Sequence, residues 1–255
     1  MASAKDLVVK PISAKDASEL VRRIHYSGKV TQNSQLHLGV FLDGRLEGAM
    51  QFGPSMDKRK MLGLVPGTGW NGFLELNRMA FSDRLPRNSE SRALGVAFRM
   101  IRKHYPHIEW VVSFSDATQC GDGTIYRASG FVLTSIKKNV QMLKMPDGSV
   151  MARKTLDNPN HTGAGGKFGS AIAKENGAVA LPGYQLRYVY FINPAARERL
   201  ASPVLPFSKI EEMGASMYRG EKITRTKEQD AGHPPALDGA TPIRALHIEA
   251  EHARR

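Results

Sequence analysis

Residues 73–131 restrict the fold of this chain more than any other stretch. They read as strand, tight basic turn, helix, strand, turn and short helix. Phe73 to Phe81 (FLELNRMAF) is an apolar run bounded by Gly72 and Asp83, the pattern of a short buried strand. The segment Leu85-Pro86-Arg87-Asn88-Ser89-Glu90-Ser91 punctuates the start of a helix. Leu94, Val96, Ala97, Met100 and Ile101 then recur at roughly helical spacing up to the break at Pro106. Ile108 to Phe114 is a second strand, ended by Ser115-Asp116 and by Gly121 and Gly123, and Tyr126 to Phe131 closes the unit. A strand, helix and strand of these lengths fit a parallel crossover. The loop after the first strand then feeds a helix N-terminus, where unsatisfied N–H groups and the helix dipole favour phosphate. Many such units bind nothing, so this inference needs company.

The flanking chain supplies it. Leu7 to Val9 reads as a first strand, and Ser13 caps a helix whose apolar face is Ala17, Leu20, Val21 and Ile24. That helix delivers His25 and Tyr26 at its end, with Gly28 as the stop. Both side chains can move protons or hold a metal; a helix-end histidine and a packed tyrosine is the plainer reading. Leu36 to Gly53 is a hairpin around Asp43-Gly44. Met56 to Gly69 reads as a basic loop containing Lys58, Arg59 and Lys60. After Phe131, two strands are expected around Met145-Pro146-Asp147-Gly148. Residues 157–183 then form a glycine-rich insertion with a short helix near Ser170 to Glu175. The run GAGGKFGS lacks the spacing of a P-loop. Tyr184 to Ile192 is a strong aromatic, β-branched strand, and Ala195 to Leu200 is one helical turn. Residues 1–218 are expected to form the catalytic domain. Residues 219–255 are charged and aromatic-poor, and read as a disordered tail.

Charge and cysteine content narrow the function. Thirty-six Lys and Arg against 24 Asp and Glu give a formal charge of +12. That balance points to a polyanionic partner such as nucleic acid, or to an acidic cofactor; a basic solvated surface is the alternative. No apolar run approaches a membrane span, and MASAKDLVVK does not look like a secretory signal. One cysteine, Cys120, excludes an internal disulfide framework and a cysteine-rich zinc site. Use inside a cell is expected.

In this order the chain resembles the GCN5-related N-acetyltransferase fold, with Tyr126…Gly130-Phe131 matching its Tyr-x-x-x-Gly-Phe motif. The resemblance implies an α/β (α+β) fold with a mixed twisted sheet flanked by helices. It makes Tyr126 the general acid that protonates a departing thiolate. HYSG, GVFLDGRLEGAMQFG, ELNRMAFSDRLPRNSESRALG, WVVSFSD and GTIYRASGF together are similar to the bacteriophage Mom family of DNA-modification proteins, over approximately Leu7 to Lys144. That resemblance implies modification of the exocyclic amine of adenine in double-stranded DNA to a carbamoylmethyl adduct that blocks restriction enzymes. It also implies an acetyl-CoA or related acyl-CoA site, iron as a further cofactor, and action in the cytoplasm of an infected bacterium.

The departures from the acetyltransferase loop are specific. Counting from Arg87, the glycine positions of Arg/Gln-x-x-Gly-x-Gly/Ala hold Glu90 and Arg92. Main-chain donors from Ser89 to Arg92 can still cradle a pyrophosphate, provided Glu90 turns away or pairs with Arg87 or Arg92. Met79, Arg87, Asn88, Ser89, Glu90, Ser91 and Arg92 are therefore the cofactor-site candidates. No metal-ligand spacing declares itself. Ser113 and Asp116 fall at a strand end, where crossover units place ligand contacts; Asp116 is the candidate proton acceptor or adenine N6 contact. His25 and Tyr26 face them from the first helix. The amine takes part in base pairing, so the base must be flipped. Lys58, Arg59, Lys60, Lys137, Lys138, Arg153, Lys154 and Lys167 are the candidate phosphate contacts. An acetyltransferase acting on a hypermodified base or small amine, and a non-catalytic DNA-binding module, are the other readings. A homodimer is among the assemblies the sequence leaves open.

Overall fold

The computed structural model describes residues 3–118, 121–158, 169–218 and 221–222. In chain order, β1 (Val8–Pro11), α1 (Ala14–Ile24), β2 (Leu36–Leu42), β3 (Arg45–Gly53), α2 (Lys58–Leu62), β4 (Phe73–Phe81), α3 (Ser89–His104), β5 (Trp110–Asp116), α4 (Thr124–Ala128) and β6 (Val132–Lys138) come first. There follow β7 (Met142–Lys144), β8 (Val150–Ala152), α5 (Arg153–Leu156), α6 (Gly169–Glu175), β9 (Val179–Ala180) and β10 (Tyr184–Phe191). A 3₁₀ turn at Pro194–Arg199 leads to α7 (Ser208–Glu212), and β11 (Met217–Tyr218) pairs with β12 (Glu221–Lys222). The chain therefore continues as a hairpin past residue 218; the rest of the expected tail lies outside the described residues.

Seven strands form one mixed sheet in the order β1-β2-β3-β4-β5-β10-β6. All neighbours are antiparallel except β4 and β5. Side-chain alternation divides its two faces. Met50 and Phe52 of β3 share a cluster with Leu94, Ala97, Phe98 and Ile101 of α3, whereas Ala49 packs with Ala17 and Leu20 of α1. Helix α3 thus covers one face and α1 the other. On the α1 face, Phe73 and Trp110 stack with ring centroids 4.3 Å apart, over Met61, Leu64 and Val65. The indole N–H of Trp110 donates to Thr68 Oγ1 at 2.9 Å. Burying Phe73 contributes on the order of 2–3 kcal/mol, which anchors the paired ends of β4 and β5.

Beyond that anchor the two parallel strands separate. They pair only through Phe73↔Trp110, Leu74↔Val111 and Glu75↔Val112. β4 then continues with β3 as far as Phe81, with a register shift that leaves Asn77 unmatched, and β5 continues with β10 as far as Asp116. The gap between them is where the cavity lies.

The predicted hairpin turn is present, with positive φ at both Asp43 (50°) and Gly44 (76°), as a two-residue loop of this type requires. Ser13 caps α1 by accepting the Asp16 N–H at 3.0 Å. Three expectations are corrected. Part of the basic loop is helical (α2), built around the buried Met61. The second central strand begins at Trp110, because Ile108 is held in a turn by its N–H to the Tyr105 carbonyl. The strand after Phe131 breaks at Asn139, and the hairpin that follows belongs to a separate sheet, β8-β7-β9. The described residues of the expected insertion, 157–158 and 169–183, therefore belong to a small folded unit with its own cluster of Leu143, Leu156, Ala173 and Ala178. Residues 159–168, including Lys167, lie outside the described residues. Asn139 closes the unit: its Nδ2 donates to the carbonyls of Met142 and Leu181, both at 2.9 Å. Its Oδ1 accepts the N–H of Gln141 and of Met142.

Candidate active site

The parted strands open a cavity of about 520 Å³. Residues 75–81 of β4, Phe114 to Asp116 of β5, the end of α1, the start of α3, and the loop into α4 all line it. Tyr126 and Ile125 of α4, and Met79, pack with the α3-side core. His25 and Tyr26 arrive on α1 from the opposite face. By alternation Phe114 and Asp116 share the face of Trp110 and Val112. The cavity therefore joins two sides: a helix start and a phenol on one, and a histidine, a carboxyl and two aromatic rings on the other.

Each predicted residue can now be placed. Tyr126 lines the cavity, its ring 5.1 Å from Phe131 and 5.2 Å from Tyr188. It is carried by α4, which begins at Gly123 in a left-handed conformation. Asp116 lines the cavity and accepts from both the N–H (3.0 Å) and the hydroxyl (2.6 Å) of Thr118 through Oδ1. Burial raises its pKa, and the two Thr118 bonds oppose that rise. His25 and Tyr26 also line the cavity, with rings 4.3 Å apart. Burial, then the Arg78 guanidinium, lowers the His25 pKa to about 4. The ring is neutral at pH 7. Nδ1 lies 2.8 Å from the Ser27 hydroxyl and 3.2 Å from the Ser27 N–H, and acceptance of both favours the tautomer with the ring proton on Nε2.

Ser113 is not brought to the cavity. Its side chain alternates to the α3 face, is fully buried, and its Oγ has no hydrogen-bond partner among the described residues.

Of the cofactor candidates, Met79, Asn88, Glu90 and Ser91 line the cavity; Arg87, Ser89 and Arg92 do not. Asn88 takes φ +68°, which turns the chain into α3. The Ser89 N–H and hydroxyl both point back to the Pro86 carbonyl, at 3.2 and 2.5 Å, and the Arg92 N–H bonds Asn88. The cradle is thus narrower than expected. Helix geometry gives the N–H groups of Glu90 and Ser91 no intrahelical acceptor, so an anion here would meet those two. Among the described residues Glu90 forms no salt bridge, so neither Arg87 nor Arg92 neutralises it. Those two N–H groups are where the pyrophosphate of an acyl-CoA would be held, and the Glu90 carboxylate beside them opposes any such anion. For iron the donor set does not assemble: among the described residues no group of three His, Cys, Asp or Glu side chains could hold a metal.

None of the described phosphate-contact candidates lines the cavity. Lys58 lies 4.6 Å over the Trp70 ring and donates to Asn71, near the paired end of β4 and β5. Arg153 pairs with Asp157 at 3.3 Å. Lys137 and Lys138 end β6 at the same edge as Asp116 and are exposed.

Glu75 is among the cavity residues that sequence reasoning missed. Glu75, on the third and last rung shared by β4 and β5, lines the cavity. Burial raises its pKa, opposed in part by the Ser55 hydroxyl and by the charges of Arg78 and Lys154. A glutamate in an apolar strand reads as an outward-facing residue. Its position at the cavity wall, where β4 parts from β5, makes it a half-buried carboxyl.

A two-faced cleft at a parted parallel strand pair, with acid–base groups on both walls, defines an α/β protein equipped for group transfer. The chain belongs to the Mom protein family, whose model matches residues 6–209. It is 38% identical over 199 residues to the methylcarbamoylase mom of Escherichia phage Mu, spanning 77% of this chain and 80% of that protein. Among solved structures, the ribosomal-protein-S18-alanine N-acetyltransferase of Escherichia coli superposes with a TM-score of 0.41 at 11% identity, over 73% of this chain and 94% of that one. An IAA acetyltransferase from Bacillus cereus gives 0.40 at 12%, over 72% and 99%. Likeness of that degree describes an outline; the chemistry has to come from this chain's own side chains.

Proposed function

We propose that this protein is a DNA-modifying transferase that acts on the exocyclic amine of adenine, leaving a carbamoylmethyl-type adduct of the kind that blocks restriction. The observation that carries this reading is the pairing, in one cleft, of Asp116 on the α1 face with Tyr126 on the α3 face, in a chain of the Mom family. Adenine N6 is a weak nucleophile because its lone pair is delocalised into the ring, so placement and proton removal dominate the barrier. Asp116, its pKa raised by burial, accepts the N6 proton; Thr118 holds the carboxyl in place through Oδ1. Tyr126 supplies a proton to the leaving group. Neutral His25 offers a donor at Nε2 to the base or to a relayed proton. An acyl-CoA bound against Glu90 and Ser91 would supply an activated carbon as its thioester. Attack of N6 on that carbonyl would leave an amide and release the thiol; a carbamoylmethyl adduct instead needs a donor whose methylene carbon, next to a carboxamide, carries the leaving group that Tyr126 protonates, so the adduct itself identifies the donor.

The test is nucleoside mass spectrometry of host DNA after expression in a bacterium. A new deoxyadenosine derivative is expected, reduced on the order of 10²-fold or more in Tyr126→Phe and Asp116→Asn, the scale of a lost general acid or base. An unchanged nucleoside profile from folded wild-type protein would overturn the proposal.

A further inference from the structure

Phe114 is out of place as a core residue. Trp110 and Val112, on its face of β5, are fully buried, whereas Phe114 is 43% exposed on the cavity wall. The cause is the parting of the strands, which removes the neighbour that would have covered it. Across the cavity, Tyr26 is likewise 51% exposed.

Beside Phe114 stands an arginine with no acid to meet. Arg187 of β10 is the direct cross-strand partner of Phe114, so the two side chains share a face. Its Nε donates to Thr134 Oγ1 at 2.9 Å, and its Nη2 to the Thr134 carbonyl and Ser202 Oγ at 3.3 and 3.2 Å. These bonds fix the guanidinium plane and leave Nη1 without an acceptor among the described residues. No carboxylate pairs with it there, and burial alone lowers its pKa. Two rungs further toward the open end, on the same face, Asp116, Gln185 and Lys137 align across the same three strands. The result is a ledge running from the cavity wall to the sheet edge, aromatic at the cavity and cationic beyond it.

We infer that this ledge holds the DNA strand at the flipped nucleotide, with the base stacked on Phe114 and a flanking phosphate on Arg187 and Lys137. The inference rests on the DNA-modification reading of the cavity. A stacking ring next to a pre-oriented guanidinium suits one nucleotide, because a base offers a π-face and its neighbouring phosphate lies a short reach away. An acidic peptide would satisfy the arginine but leave the ring unused.

The full chain is tested by binding to a labelled short duplex carrying one unpaired adenine, and to the same duplex fully paired. Wild type should prefer the unpaired adenine, and Phe114→Leu should lose roughly 5- to 150-fold of that binding, the range of base–aromatic stacking, with little change on paired DNA. Arg187→Gln should lower the slope of log affinity against log salt by about one, while Arg187→Lys keeps it. Phe114→Leu and Arg187→Gln proteins that melt like wild type yet keep both the preference and the slope would overturn the ledge, even if adenine modification persists. Wild-type protein that binds neither duplex would overturn the DNA reading, and the ledge with it.

Discussion

Gly123 is the residue where a single methyl group should cost most. It begins α4 at φ +87°, and a Cβ built there lies 2.5, 2.7 and 2.8 Å from the Cε2, Cζ and hydroxyl oxygen of Tyr188. The Tyr188 ring is fully buried, and its hydroxyl donates to the Asp122 carbonyl at 2.5 Å, so it cannot retreat without losing that bond. For Gly123→Ala, the left-handed backbone costs about 1–2 kcal/mol, and overpacking adds roughly 1–3 kcal/mol. Gly44→Ala is the control, with φ +76° and nothing within 4 Å of the added carbon. It should show the backbone cost alone. A difference of about 1–3 kcal/mol between the two corresponds to roughly 2–12 °C in melting temperature for a chain of this size. Thermal unfolding followed by circular dichroism reads it directly. Because the Tyr126 N–H bonds the Gly123 carbonyl at 3.0 Å, Gly123→Ala should also displace Tyr126 and reduce DNA modification. Equal melting losses for the two variants would refute the close approach of Tyr188 and, with it, this account of how α4 is positioned.

Two further predictions concern the small unit and the half-buried carboxyl. Asn139→Ala removes four hydrogen bonds at the junction. It should destabilise residues 142–180 by about 2–4 kcal/mol, seen as faster amide exchange there with the seven-stranded sheet still protected; uniform acceleration across the chain would contradict the division. For Glu75, burial holds the folded pKa above the unfolded value, so its contribution to stability is present at low pH and lost as pH rises through the folded pKa. Glu75→Gln should therefore melt higher than wild type at pH 8, with the gap closing as pH falls toward 4.5, while modification activity drops. A variant that is less stable at pH 8 would show that Arg78 and Lys154 outweigh burial.

What the sequence revealed follows from how local each signal is. Asp43-Gly44 names its own turn because both positions need positive φ, and Phe73 to Phe81 names its own strand because Gly72 and Asp83 bound an apolar run. Ser13 and Asp116 could be placed for the same reason, as residue types at element ends, whereas Tyr126 was placed by its Tyr-x-x-x-Gly-Phe spacing; all three stand where those signals put them. Helix α2 was not readable, since Asp57 makes no side-chain cap bond and only Met61 is buried. Glu75, Phe114 and Arg187 were invisible for a different reason. Each owes its environment to the parting of β4 from β5 or to a partner more than seventy residues away in the chain, and no window of sequence contains that. Ser113 shows the opposite error: it sits at the right strand end but one position out of phase, and the two-residue alternation turns it to the other face.

The strand order carries a consequence for how the protein comes into being. β10 lies between β5 and β6, so during synthesis both strands emerge with an open edge and wait for residues 184–191. Trp110 through Asp116 cannot complete its hydrogen bonding until residues 184–191 have left the ribosome. Until then, the unpaired N–H and C=O groups of β5 and β6 are open to pairing with neighbouring nascent chains. The strand that lines the cleft therefore completes its pairing only when β10 arrives, so the wall carrying Phe114 and Asp116 is finished together with the sheet.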